Sequence, residues 1–322
     1  MRFITIYANY IYKIPNFFIC IFAELIPVKA QRQNFRNRLF KVHVKFFYKK
    51  LAVTTLDKKI VICRPHGGFN DMLVRITKCY EYAKKYNRIL YIDTRRSGFL
   101  DDFDKYFSAS EEIFLNASCL LSLTNVSKSD NEKLKIIVNS AFNTQAVFDF
   151  SKDCEEQILV YEESGGGDDG IFAFEWLLLK DDVKKRITDI IKPLGKYDAI
   201  HVRHSDYKTN YKKFFADIND KLGDKIVLCT DSFECQTYAK EFWGEKLHIV
   251  TSIPDTKGKP LHMNEKLDRF QTNLDALTDL FVLACSQNLY FTMMKKGWIS
   301  GFGNLAKSLH ERQYLLNRLL YK

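Results

Sequence analysis

The chain has 322 residues, 46% of them hydrophobic and 27% charged, enough apolar content for ordinary cores in roughly two domains of about 150 residues each. That excludes a disordered chain and a small disulfide scaffold. The 49 Lys and Arg against 39 Asp and Glu leave a formal charge of +10, yet ten of those basic side chains and, among the acids, only Glu24 fall in residues 1–50. The rest is close to neutral, carries no zinc, basic-helix or RNP motif, and offers no broad polyanion groove, so nucleic acid is not the expected partner.

Residues 14–28, IPNFFICIFAELIPV, are the most apolar window, but the charge-free run between Lys13 and Glu24 holds ten residues, where a bilayer crossing needs about 20. Glu24 and Pro27 follow the run and no small-x-small cleavage site is evident, which argues against a signal peptide. Residues 29–50 then carry eight Lys or Arg, no acid, and Phe35, Phe40, Phe46, Phe47 and Tyr48. Two readings stand side by side for this basic aromatic arm at 1–50: a helical hairpin packed on the body, or an interfacial helix on an anionic membrane surface.

Beyond the arm, KIVIC (59–63) reads as a buried strand, RPHGGFND as a turn, the segment 71–86 as a helix, and RILYID (88–93) as a second strand. Strand, glycine loop, helix, strand is a βαβ unit and implies a parallel sheet. Residues 108–160 hold short apolar runs of unassigned type. SGGGDDG (164–170) is the sharpest break in composition and predicts a hinge or flexible loop, with close backbone approach to a ligand as the other reading.

A helix over about 174–191, ended by Pro193 and Gly195, is expected next. Strands YDAIHV, KIVLC and LHIV then alternate with helices near 211–222 and 232–242, and after a polar loop at 254–268 come a helix at 272–285, the strand NLYFT and a last helix from about 303. The expected organisation is a 1–50 arm, a 51–190 Rossmann-like domain and a 191–322 Rossmann-like domain. Ligands of open parallel sheets sit at the carboxyl ends of the strands, which directs attention to the loops there.

IHVRHSDY places Arg203 just past a strand, where a planar guanidinium suits a diphosphate; a structural ion pair with Asp206 is the competing reading. His201-x-Arg203 followed by Ser205-Asp206-Tyr207 resembles the first motif of the fucosyltransferase superfamily. Its α1,2, α1,6 and protein-O-fucosyl branches share a GT-B fold of two Rossmann-like domains facing a central cleft. Val227 to Ser232 resembles that superfamily's strand ending in Ser/Thr-Asp. Thr278 to Ser286, continuing through YFT to Ser300-Gly301-Phe302-Gly303, resembles its D-L-x-x-(L/M)-x-x-C helix, strand and Ser/Gly turn, and RPHGGFNDML resembles its first glycine loop. The chain departs at His204, where several branches carry a second arginine, and in the inserted MMKKGWI before the last turn.

The resemblance implies an inverting glycosyltransferase acting on a nucleotide sugar, GDP-fucose foremost, and a glycan or lipid-linked oligosaccharide acceptor in surface polysaccharide or lipopolysaccharide synthesis. His201, Arg203, Asp206, Asp231, Ser300, Gly301 and Gly303 are the implied donor-binding residues. Gly67, Gly68 and Asn70 form the acceptor-side loop, and Asp71 or His66 is the base. For Asp231 a helix N-cap is the alternative, and for Asp71 a first-turn carboxylate on the helix dipole. Asp101-Asp102, Asp102-Phe-Asp104 and Asp168-Asp169 do not stand in a strand-end D-x-D context, and the eight scattered cysteines lack a C-x-x-C pair, so a metal-independent enzyme is expected, cytoplasmic or peripheral on the inner face of the membrane. A transferase of another donor class, such as ADP-heptose, and a non-catalytic nucleotide-sugar binder are the alternatives.

Overall fold

The computed structural model describes Gln31 and residues 59–95, 97–109, 113–116, 136–140, 149–154, 158–255, 267–294 and 297–321. The two readings of the 1–50 arm therefore lie outside the described residues, apart from Gln31. The described residues fall into two compact units, one drawn from those within 59–64, 78–93 and 113–163, the other from those within 65–77, 94–109 and 164–321.

The first unit is built on strands β1 (Ile60–Pro65), β2 (Ile89–Ile92), β4 (Ile136–Ser140) and β5 (Ile158–Glu163), in the order β2-β1-β5-β4. β1 runs parallel to β2 with Ile60 opposite Ile89, and β4 runs parallel to β5 with Ile136 opposite Ile158. Ile60, Val61, Ile62 and Cys63 are all fully buried, the uninterrupted apolar run of a strand covered on both faces. Helix α1 (Phe69–Lys85) follows β1. At the carboxyl end of β1 the buried Arg64 lies 3.1 Å from Asp93 and 3.8 Å from Glu162. A fully buried guanidinium needs such partners, because stranding it without a carboxylate costs roughly 3–5 kcal/mol.

The second unit carries β7 (Asp198–Val202), β8 (Ile226–Thr230), β9 (Leu247–His248) and β10 (Asn288–Phe291) in the order β10-β7-β8-β9. All three pairings are parallel, with His201 flanked by Phe291 and Cys229. Helices α2 (Asp181–Leu194), α3 (Tyr211–Ile218), α4 (Phe233–Trp243), α5 (Arg269–Ala284), α6 (Gly301–Glu311) and α7 (Gln313–Tyr321) complete it. Phe215 of α3 is fully buried with its ring 4.3 Å from that of Trp243 of α4. Truncating such a side chain to alanine costs about 3–5 kcal/mol.

The alternation expected beyond residue 197 is present, and several boundaries differ. The helix expected over 174–191 is a 3-10 turn (Asp169–Glu175), a strand β6 (Leu177–Leu179) and only then α2. β6 pairs antiparallel with β3 (Phe107–Ala109), and this long-range pairing fixes three leucines that would suit a helix equally well. Asp181 and Asp182 open α2 in the first turn, where acids favour the helix dipole. LHIV contributes two strand residues, and the carboxy-terminal helix is two helices, broken at Arg312. Asp102-Phe-Asp104 sits in a 3-10 turn, Phe103–Lys105, and not in a longer helix. Among the described residues no helix is long and apolar enough to cross a membrane.

Candidate functional site

Within the second unit, the loops after β7, β8 and β10, the first turns of α1 and α6 and one side of α5 surround a cavity of about 610 Å³. Of the residues singled out from the sequence, Gly68, Asn70, Asp71, His201, Arg203, Asp206, Asp231, Ser300 and Gly301 line it. His66, Gly67 and Gly303 are not among its lining residues.

Asp231, at the tip of β8, organises the loop that follows β7. Its Oδ1 accepts the backbone N–H groups of His204 at 2.7 Å and Ser205 at 3.1 Å. Its Oδ2 accepts the Ser205 hydroxyl at 2.7 Å and lies 2.6 Å from Nη1 of Arg203. The N-cap of α4 is Ser232, whose hydroxyl accepts from Cys235 N–H at 3.2 Å, so the capping alternative for Asp231 does not hold. A carboxylate already receiving four donors is engaged as an organiser of the neighbouring strand end.

Arg203 is divided between two acids: its Nη2 lies 2.6 Å from Asp206 Oδ1 while Nη1 faces Asp231. The ion pair with Asp206 is thus present, and Arg203 also lines the cavity with a quarter of its side chain exposed. The two partners are unequal. Asp206 is the more exposed, and beyond Arg203 its Oδ1 receives the Ser205 hydroxyl at 3.2 Å.

His201 points from β7 into the cavity wall with its ring 5.5 Å from Phe302. Burial lowers its pKa to about 4, the Asp231 carboxylate opposing and the Arg203 cation adding to that shift, so it is neutral at pH 7. His204 is turned away. Its Nδ1 accepts the Thr209 N–H at 3.1 Å and its ring meets Tyr211 edge-on at 4.7 Å, and burial followed by the nearby Lys208 cation lowers its pKa as well. It therefore does not supply the charge of a second arginine.

At the start of α6, Ser300 is the N-cap and its hydroxyl accepts the Gly303 N–H at 3.1 Å. The N–H groups of Gly301 and Phe302 have no acceptor within the helix by position, and both residues line the cavity. Gly303 has a packing role: a Cβ there would fall 2.8 Å from Ile299 and 3.1 Å from His201 Nδ1. On the other side, Asp71 accepts the Gly68 N–H at 3.3 Å, a side chain in the first turn reaching back to the residue before its helix.

Sequence reasoning missed the wall contributed by α5. Asp279 lines the cavity, its Oδ1 accepts the Thr251 hydroxyl at 2.6 Å, and burial raises its pKa to about 7, hydrogen bonds from Thr251 and Cys229 opposing. Asp275 of the same helix also lines the cavity with a pKa raised by burial, the Gln271 hydrogen bond and Arg186 opposing. The available signal was an acid inside TDLFVLA, since a charge within an otherwise apolar helical run has to be accommodated in the interior. Among the described residues no group of three or more His, Cys, Asp or Glu is arranged to hold a metal ion.

No protein-family profile matches the chain, and no curated protein sequence matches it. Its solved structural relatives include the fucosyltransferase NodZ from Bradyrhizobium, at 17% identity and a TM-score of 0.54 over 79% of this chain and 93% of that one. NodZ α1,6-fucosyltransferase soaked with GDP-fucose gives a TM-score of 0.53, again at 17% identity over 79% and 93% of the two chains. The same enzyme co-crystallised with GDP gives 0.52 at the same identity and coverage. The chain thus has the fucosyltransferase-like fold of the GT-B type, carried by two units with parallel sheets.

Proposed function

We propose that the chain is an inverting, metal-independent glycosyltransferase that moves a sugar, foremost fucose from GDP-fucose, onto a glycan acceptor of surface polysaccharide or lipopolysaccharide. The observation that carries this reading is Arg203, held at a strand tip by Asp231 and facing the same cavity as the amino terminus of α6. That cation and the Gly301 and Phe302 N–H groups supply fixed positive potential where a departing diphosphate gathers charge, the role another enzyme gives to a divalent cation. The fold shared with NodZ, which has been soaked with GDP-fucose and co-crystallised with GDP, supports the donor class.

In the proposed step the acceptor hydroxyl oxygen attacks the anomeric carbon as the bond from that carbon to the diphosphate oxygen breaks. The electron pair leaves with the nucleoside diphosphate, and the hydroxyl proton passes to the carboxylate of Asp71. Asp231 stays bound to the His204 and Ser205 N–H groups and keeps the guanidinium in place, while the diphosphate takes over the nitrogen that Asp206 holds in the free protein. His201, neutral, adds a hydrogen-bonding ring without competing charge. The basic, aromatic segment 1–50 is proposed to meet an anionic membrane surface.

The test is incubation of the full chain with GDP-fucose, ADP-heptose and other nucleotide sugars in EDTA, with a panel of oligosaccharide acceptors, following nucleotide release and product mass. Transfer from GDP-fucose in EDTA, lost in Arg203→Ala, is expected. Strict dependence on added metal, or no transfer from any nucleotide sugar, would refute the assignment.

A further inference from the structure

The run at 164–170 opens the last segment of the second unit. It lies along the first turns of α1, and a side chain would have unequal room at its glycines. A Cβ on Gly165 would fall 1.8 Å from Arg75 Nη2, one on Gly167 would fall 3.6 Å from Val74, and one on Gly170 would fall 2.7 Å from Asn70 Oδ1. The run is bonded at both sides: Asn70 Nδ2 donates to the Gly167 carbonyl at 2.9 Å, and Asn304 Nδ2 of α6 donates to Asp168 Oδ1. With these approaches and two side-chain bonds the segment, most of it exposed, is a strap tethered to α1 and α6.

The strap reaches the carboxylate of Asp71. On one side Oδ2 takes the Gly68 N–H at 3.3 Å, with Gly67 so close that a Cβ there would fall 2.8 Å from Oδ2. On the other side Oδ1 faces Gly166, whose Cβ would fall 3.3 Å away. Gly67 has a φ of +93° and Gly165 and Gly167 have φ near +148°, values that favour glycine in their own right. Gly166 is not among the positive-φ residues. Its bareness therefore matters only for what it faces, and what it faces is Asp71.

We propose that the strap positions Asp71, with Gly166 as the residue that sets where its carboxylate lies. The inference rests on the reading of Asp71 as the acceptor base, and extends it to a segment outside the strand-end motifs. Gly166→Ala adds one methyl group at a distance that forces Oδ1 to give way by a few tenths of an ångström, without backbone strain. A displacement of that size at a reacting group is enough to reduce turnover strongly.

The experiment is Gly166→Ala in the full chain, read in two independent ways. Amide exchange of the Gly68 N–H, which donates to Asp71, is expected to quicken at least threefold while the core amides of Ile200 and Leu228 are unchanged. With GDP-fucose, kcat is expected to fall at least tenfold with the donor KM within twofold, and the loss is expected to vanish when the same change is made in an Asp71→Asn background. Unchanged exchange at Gly68, or losses that multiply between the two positions, would overturn the proposal, since multiplying losses mark independent sites. If Gly166→Ala fails to fold, Asp168→Ala, which frees the strap at α6 without adding atoms, is read by the same exchange with the same criteria. A wild-type chain that transfers no sugar would refute the transferase reading, and with it the base role of Asp71, and leave the exchange result to judge the strap.

Discussion

Arg203 and Asp231 meet at 2.6 Å across the tips of the adjacent parallel strands β7 and β8. Asp231 thereby joins the guanidinium to the backbone of the loop that carries it, because its other oxygen holds the His204 and Ser205 N–H groups. Asp231→Asn replaces one acceptor oxygen with a donor that opposes both Arg203 and the Ser205 hydroxyl. The expected result is a loss of GDP affinity of at least tenfold and a stability loss of about 1–3 kcal/mol, measured by calorimetry and by urea unfolding.

Asp206 holds the second nitrogen of Arg203 at 2.6 Å, the nitrogen a diphosphate would take in the proposed reaction. Asp206→Asn keeps the shape and removes the charge. It is expected to tighten GDP binding several-fold at low salt, with the gain shrinking as ionic strength rises. A tenfold loss of affinity would show Asp206 to be a direct ligand and not a placeholder.

Gly303 tests packing apart from ligand binding. A methyl group there would meet Ile299 at 2.8 Å, His201 at 3.1 Å and Phe291 at 3.2 Å, all within the second unit. Gly303→Ala is expected to destabilise the chain by about 1–3 kcal/mol, seen as a lower urea midpoint. Gly195, where a Cβ would meet nothing within 4 Å, has a φ of +65° and a ψ of −130°, so Gly195→Ala is expected to cost about 1–3 kcal/mol through its backbone conformation alone.

Two buried groups give the stability a worked pH dependence. His201 has a folded pKa near 4, below the ordinary 6.5; as the pH falls from about 6.5 towards 4 the unfolded chain takes up a proton that the folded chain refuses, and stability is lost. Asp279 runs the other way. Its folded pKa near 7 lies above the ordinary 3.8, so its contribution is complete below about 4 and is lost as the pH rises to about 7. Asp279→Asn is therefore expected to gain stability relative to wild type progressively between pH 4 and 7 and to show a constant difference above pH 8, measured as urea midpoints across that range.

Strands β7 and β8 were legible because each is a short apolar run bounded by charge or turn residues, as DAIHV and IVLCT are. Arg203 and Asp231 could be found because each sits one residue past such a strand, and Ser300 because it opens a Ser/Gly turn before a helix. The strand at Leu177–Leu179 was not legible, since its identity depends on pairing with Phe107–Ala109 about seventy residues earlier. Composition gave only part of the glycine run: most of it is exposed, but it also lies against Asn70, Asp71 and Arg75 in space. Asp279 was hidden for a related reason: the helix pattern marks its position as interior but does not reveal that the interior there is a cavity wall.

The central claim is that Arg203 and the start of α6 form a diphosphate site inside the second unit. Titration calorimetry of GDP into the full chain, in EDTA and at low salt, tests it most directly. The account predicts saturable binding of one GDP per chain that weakens as salt rises, is lost in Arg203→Ala and is not restored by Arg203→Lys, because a lysine cannot face Asp231 and a phosphate oxygen with separate nitrogens. Undiminished GDP binding in Arg203→Ala, or no binding by the wild-type chain at millimolar GDP, would contradict it.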